Sequence, residues 1–552
     1  MMRAKRRPVR GRRINRENHV NKKLYIAKQA GLLKAGQIDR RSFVMSALSA
    51  GIVLPTALSM ASRAEAQMAK KGGVFRHGTG YGSTTDSLDP GTTENSFMTS
   101  LVYTRGNHLT EVDNTGELVP ELAESYETED AKTWRFKLRS GVEFHNGKTM
   151  TAEDVIASFN HHRGDDATSA AKGLVAQVES MEADGDTVVF TLSSPNADWP
   201  YIVSDYHLMI MPSEGGEVDW ASGIGTGPYV IQTFEPGVRA ISTRFPNYFK
   251  ENRAHFDEYH LLAILDSAAR QQALMSGQVD HINNVDTKTV ALMERVPNIE
   301  ILETTGTQHY TFPMRVDQAP FDNYDLRMAL KYAINRQELV EKILLGHGEA
   351  GNDVPVNASM PFWNPDLPVH EFDPDRAREH YAKSGHSGTI QLSTSDAAFP
   401  GAVDAAQLVA ASAAQAGIDI EVVREPSDGY WSNVWNKKGW CACYWGGRPT
   451  QDWMYSSAYT EETEWNDTAW KDSEAAQRFN ELVVAARSET DEETRRGQYH
   501  EAQSLLQDDG GAIVAMWANY IHGHSNKLAH EEAVAANWID DGNKIHERWW
   551  FA

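Results

Sequence analysis

Trp134-Arg135-Phe136-Lys137-Leu138-Arg139 leads into Gly141-Val142-Glu143-Phe144-His145-Asn146-Gly147, and then into Thr151-Ala152-Glu153-Asp154-Val155. Trp134, Phe136 and Leu138 alternate with Arg135, Lys137 and Arg139. That two-residue period marks a strand with one buried face. Gly141 and Asn146-Gly147 are turn residues. Thr151-x-x-Asp154 then sets a hydroxyl and a carboxylate three residues apart, ahead of apolar Val155, Ile156 and Phe159. This is the signature of a capped helix.

The same strand-then-helix grammar continues outward. Thr187 to Leu192 reads as a strand closed by Ser194-Pro195. Leu326, Ala329, Leu330 and Ala333 form one apolar helix face. Asn335 with Glu338 caps a further helix that ends at Gly346, Ala402 to Gln415 is an alanine-rich helix, and Ile418, Ile420 and Val422 alternate as a strand. Strands interleaved with helices predict an α/β protein.

A chain of 552 residues is too long for one hydrophobic core, so two or three lobes are expected. Hydrophobic residues make up 41% and charged residues 23%, which excludes global disorder. The first 70 residues hold 16 Lys and Arg against 3 Asp and Glu, so the remainder carries −36 against −23 for the whole chain. A body that acidic repels nucleic acid and anionic lipid. Cys441 and Cys443 are the only cysteines, which rules out a disulfide framework and reads as two free thiols on one strand face.

Residues 1–66 read as an export signal. Arg40-Arg41 is a twin-arginine pair, Val44 to Ser59 is a moderately apolar run broken by Pro55, and Ala64-Glu65-Ala66 is a small-x-small cleavage site. The mature chain is expected to begin near Gln67, in the periplasm, after passage through the twin-arginine translocase.

Six landmarks occur in one order. They are Leu88-Asp89-Pro90, Leu118 to Tyr126, the 134–155 block, Gly225-Thr226-Gly227-Pro228-Tyr229, Ala273 to Asp280 and Leu326 to Ile334. Together they resemble the peptide-type family 5 extracellular solute-binding proteins of ABC importers. The resemblance implies a two-lobed α/β periplasmic-binding-protein fold (type II, cluster C-like) with an extra subdomain. Lobe I would be discontinuous, 73–112, 222–315 and 520–552. The inserted subdomain would be 113–221, and lobe II 316–519. It also implies a monomer that closes by a hinge on a peptide or peptide-like zwitterion and delivers it to an inner-membrane ABC permease.

In the peptide binders an aspartate after a Gly-Trp strand holds the ligand amine. Here Cys443 stands at that position in Gly439 to Tyr444, and a thiol does not replace a carboxylate beside a buried ammonium. The carboxylate-holding arginine of the dipeptide binders is likewise missing from Leu392 to Val403. The next segment, Trp445-Gly446-Gly447-Arg448-Pro449-Thr450-Gln451-Asp452-Trp453, offers Arg448 for a carboxylate and Asp452 for an amine or hydroxyls, unless the two pair with each other. Trp435, Trp440, Tyr444 and Trp445 would form an aromatic wall, Trp440 being the one best suited to the core, and Tyr81, just past the first strand, completes the candidate ligand contacts. Opine, betaine and amino-sugar conjugate ligands are the alternatives.

A metal-chelate or haem carrier would need converging His or Met, and the 20 His and 17 Met are scattered along the sequence. A periplasmic hydrolase would need a motif such as G-x-S-x-G or H-E-x-x-H, and none appears. The chain is therefore read as a non-enzyme without cofactor or metal.

Overall fold

The computed structural model describes Gln29, residues 40–49, and residues 69–552 other than 94, 165, 396, 427–429, 462 and 464. The chain builds two α/β lobes and an inserted β-rich unit. The first lobe is organised on a seven-stranded sheet, in the order Tyr229–Glu235, Arg239–Arg244, Glu258–Ala263, Val74–Thr79, His281–Ile282, Tyr520–Ser525, Ile299–Thr304. Val74–Thr79 runs parallel to both neighbours, and the other pairings are antiparallel. Phe75, Tyr259, Leu261 and Trp549 are core residues of this lobe.

The inserted unit is a four-stranded antiparallel sheet, Ala123–Glu127, Thr133–Leu138, Thr187–Leu192, Val178–Asp184. Trp134, Phe136 and Leu138 are its buried face, as their alternation predicts, and Phe136 pairs across the sheet with Val188. Helix Ala152–Asn160 covers this face, and Thr151 and Asp154 form the expected capping box. Gly225 and Gly227 are required by close packing: a Cβ at either would collide with the backbone at Arg105–Gly106.

The second lobe holds an antiparallel sheet ordered Gly348–Ala350, Val514–Ala518, His309–Thr311, Cys443–Trp445. The parallel pair Ile390–Thr394 and Ile420–Arg424 joins it through a bridge from Ser393 to Cys441. Helices Tyr324–Ala333 and Ala402–Ala414 pack on one core, and Glu474–Ser488 and Glu492–Asp509 on another. Asn335 caps helix Arg336–Lys342 by accepting from the Glu338 N–H at 3.1 Å.

Two segments carry the chain between lobes. Ile299–Thr304 leads into His309–Thr311, and Val514–Ala518 leads into Tyr520–Ser525. They run side by side: Thr304 pairs with Tyr520, and Ala518 N–H donates to the Gln308 carbonyl at 3.0 Å.

Arg40 and Arg41 open a helix, Arg40–Ser49, in which Phe43, Val44 and Ala47 are buried. Ala64 and Ala66 lie outside the described residues. Among the described residues no helix is long and apolar enough to cross a membrane.

Candidate functional site

The two crossing segments floor a cleft between the lobes. A cavity of about 440 Å³ there is lined by Tyr81, Arg270 and Asn284 from the first lobe and by Tyr310, Ile343 and His347 from the second. That volume lies in the range of small-molecule sites. Arg270 is a framework residue. Its Nε donates to the Asn283 carbonyl at 3.0 Å, Nη1 to Ile264 at 2.7 Å and Nη2 to Asn284 at 3.1 Å.

Arg448 differs. Its guanidinium bonds only carbonyls of its own loop, Gly446 at 3.4 Å and Gly447 at 3.1 Å, both through Nη1. Among the described residues no carboxylate lies within ion-pair distance of it. The loop is pressed against the crossing segment, because a Cβ at Gly447 would collide with the Thr307 side chain. The guanidinium lies 5.9 Å from the Trp453 ring centroid. Its field reaches three separate parts of the fold: Asp205 and Tyr206 of the inserted unit, and His309 and Tyr520 on the crossings. Burial, and then this positive charge, push His309 down to about 4, against the Thr307 carbonyl that its ring meets. His309 is therefore neutral at physiological pH and leaves the local charge to Arg448.

Aromatic residues crowd the second-lobe side. Tyr444 is 43% exposed, and its ring lies 5.5 Å from Trp431, which lies 5.9 Å from Trp435. Trp435 lies 6.1 Å from Trp445, which lies 6.0 Å from Trp465. Trp431 and Trp465 are also exposed. Strand alternation separates the expected contacts: Tyr444 faces outward while Cys443 and Trp445 face the core. Desolvation, and then Tyr81 across the cleft, hold the Tyr444 hydroxyl above its ordinary pKa.

Four of the expected contacts are thus placed differently from the sequence expectation. Cys443 is 1% exposed and packs in the second-lobe core, where burial first and Asp467 second hold its thiol protonated. Trp445 and the half-buried Trp435 back the exposed rings from behind, donating to Asp467 Oδ2 at 3.2 and 3.0 Å. Asp452 is buried in the first turn of helix Gln451–Ala458, where Arg487 Nε donates to its Oδ1 at 3.0 Å. It meets neither Arg448 nor the cleft, because Arg487 reaches over from the neighbouring helix Glu474–Ser488.

Trp431, Trp465 and Asp467 escaped the sequence reading. Trp431 stands four residues before Trp435, a spacing that places two rings on one helical face. Trp465 and Asp467 sit in a segment without periodicity.

The geometry is that of two α/β lobes joined by paired crossings, with Tyr81, Tyr310 and Tyr520 lining the cavity between them. Comparisons with known proteins agree. Residues 117–467 match the family described as bacterial extracellular solute-binding proteins, family 5 Middle. The dipeptide-binding protein of Escherichia coli (strain K12) is 24% identical over 443 residues, covering 72% of this chain and 81% of the relative. The glutathione-binding protein GsiB of Escherichia coli O6:K15:H31 is 25% identical over 469 residues, covering 81% of this chain and 90% of the relative. The periplasmic binding protein DppA from Helicobacter pylori, solved with the peptide STSA, superposes with a TM-score of 0.73 at 20% identity, over 87% of this chain and 99% of that one. With its match spanning more than half the sequence and its two-lobed architecture shared, this chain belongs to the family 5 bacterial extracellular solute-binding proteins.

Proposed function

We propose that the chain captures a small peptide or peptide-like zwitterion between its lobes, with Arg448 receiving the ligand carboxylate. The observation that carries this reading is the guanidinium of Arg448, half-buried between three parts of the fold and without a carboxylate partner among the described residues. A bidentate arginine–carboxylate contact in a partly desolvated site supplies a charge-assisted hydrogen-bond pair. Names of relatives support a peptide-like ligand, since they bind dipeptides and glutathione.

A second reading, an opine or betaine, is favoured by the aromatic cluster. Asp452 is engaged by Arg487, so the cationic end of a ligand meets ring faces of Trp431, Tyr444 and Trp465 rather than a free carboxylate. Hinge motion at the crossings would close the lobes and expel water, which strengthens these contacts.

In the cell, export by the twin-arginine translocase through Arg40-Arg41 and cleavage at Ala64-x-Ala66 would deliver a monomer to the periplasm. There it would hand solute to an inner-membrane ABC permease and perform no chemistry. A thermal-shift panel of glutathione, dipeptides, opines and betaines tests the binding. One class raising Tm with the logarithm of its concentration is the expected result, and a panel without any shift would refute the reading.

A further inference from the structure

Three histidines and an aspartate from four separate stretches of chain converge in the core of the first lobe. His77 lies on Val74–Thr79, in direct register with His281 on the parallel neighbouring strand. His522 comes from Tyr520–Ser525 and Asp540 from the segment near the C-terminus. All four are 2% exposed or less.

The ligand atoms of His77, His281 and Asp540 all lie within 4.8 Å of one another. Asp540 Oδ2 lies 3.5 Å from His77 Nε2, and Oδ1 lies 3.8 Å from His281 Nε2 and 3.2 Å from His522 Nδ1. Yet His77 Nε2, both nitrogens of His281, His522 Nδ1 and Asp540 Oδ1 make no hydrogen bond. Buried polar atoms are normally satisfied, so this cluster of unpartnered atoms calls for an explanation. Tetrahedral zinc with bonds of roughly 2.0–2.2 Å holds its ligand atoms about 3.4 Å apart. The Asp540 carboxylate sits at that spacing from His77 and His281, at 3.5 and 3.8 Å.

The surroundings fit a metal shell. His77 Nδ1 meets Tyr259 Oη at 2.9 Å, which fixes the ring and leaves Nε2 for coordination. Asn283 Nδ2 donates to Asp540 Oδ2 at 2.8 Å. Asp540 and Asp541 take left-handed backbone angles, φ 58° and 55°, which non-glycine residues adopt only when the structure around them compensates. No Lys or Arg among the described residues lies within 4.0 Å of Asp540. The other carboxylate cluster, Glu111, Glu121 and Glu547, is a contrast: Lys250 reaches all three at 2.8, 2.5 and 3.1 Å, so lysine balances its charge.

We propose that His77, His281 and Asp540 bind one zinc ion in a closed structural site, with His522 beside the carboxylate as an outer neighbour. The ion pins two strands of the first lobe to the segment that carries Trp538, which in turn touches the Arg448 loop. It is separate from the solute cleft and independent of the capture reading. An ion so enclosed enters as the lobe folds.

Elemental analysis of the exported, unrefolded protein tests this. One equivalent of zinc per chain is expected, retained through desalting, and lost in His281→Gln and Asp540→Asn. Another divalent transition metal at one equivalent, absent from those variants, would support the site and overturn zinc as its occupant. Should the variants fail to fold, the wild-type chain is unfolded in chelator and refolded with or without zinc. A Tm restored only with zinc supports the site. Refolding indifferent to zinc, or equal metal in wild type and His281→Gln, overturns it.

Discussion

Trp538 and Arg448 share one acceptor: the Gly447 carbonyl takes the indole Nε1–H of Trp538 at 3.3 Å and the guanidinium Nη1–H of Arg448 at 3.1 Å. The first lobe thereby holds the second-lobe loop that presents the candidate ligand arginine. Trp538→Phe keeps most of the ring and removes the donor. Loss of one such hydrogen bond is worth about 1 kcal/mol. Calorimetric titration with the best compound of the thermal-shift panel should show affinity weakened roughly fivefold, with Tm little changed.

Arg448 has no carboxylate to lose, so Arg448→Gln should leave the Tm of the ligand-free protein unchanged while weakening an acidic ligand by about 2 kcal/mol or more. Arg448→Lys keeps the charge without the planar fork, and its loss should be intermediate. Equal affinities for all three proteins would remove Arg448 from the site.

Asp452 should behave in the opposite way. Its ion pair with Arg487 is buried on the carboxylate side and 26% exposed on the other. Asp452→Ala leaves Arg487 unpaired and should cost about 1–3 kcal/mol in chemical denaturation, less than a fully buried pair because water screens the guanidinium. Ligand affinity should not change.

Asp467 gives a pH signature. Burial pushes its carboxyl up to about 6, against the Trp435 and Trp445 indoles, the Cys443 thiol and Arg315. The folded chain therefore binds this proton more tightly than the unfolded one, whose carboxyl titrates near about 4. Its stabilising effect is full below about pH 4 and lost as pH rises through 6. Asp467→Asn retains an acceptor for the indoles and removes the titration. Relative to wild type it should gain about 2–3 kcal/mol between pH 4 and 7, read by urea denaturation at each pH.

The fold was legible where local pattern and tertiary demand coincide. The alternation at Trp134, Phe136 and Leu138, the Thr151–Asp154 box and the Asn335 cap all recur in the structure. The strand expected from Ile418 is observed as Ile420–Arg424, two residues later, because Ile418 N–H bonds back to the end of the preceding helix at Ala413. The site was harder to read. Asp452 finds Arg487 only through packing of two helices, and strand parity turns Cys443 inward beside an outward Tyr444. His77, His281 and Asp540 have no shared motif, since sheet order rather than sequence spacing brings the histidines together.

Capture as proposed has Arg448 hold the carboxylate of a solute enclosed between the lobes. Native mass spectrometry of wild type and Arg448→Gln, both taken from the periplasm without refolding and then incubated with the same panel, tests it directly. A small carboxylate-bearing adduct is expected on the wild type and should be missing or much depleted on the variant. An adduct of equal occupancy on both proteins, or none on the wild type, would contradict it.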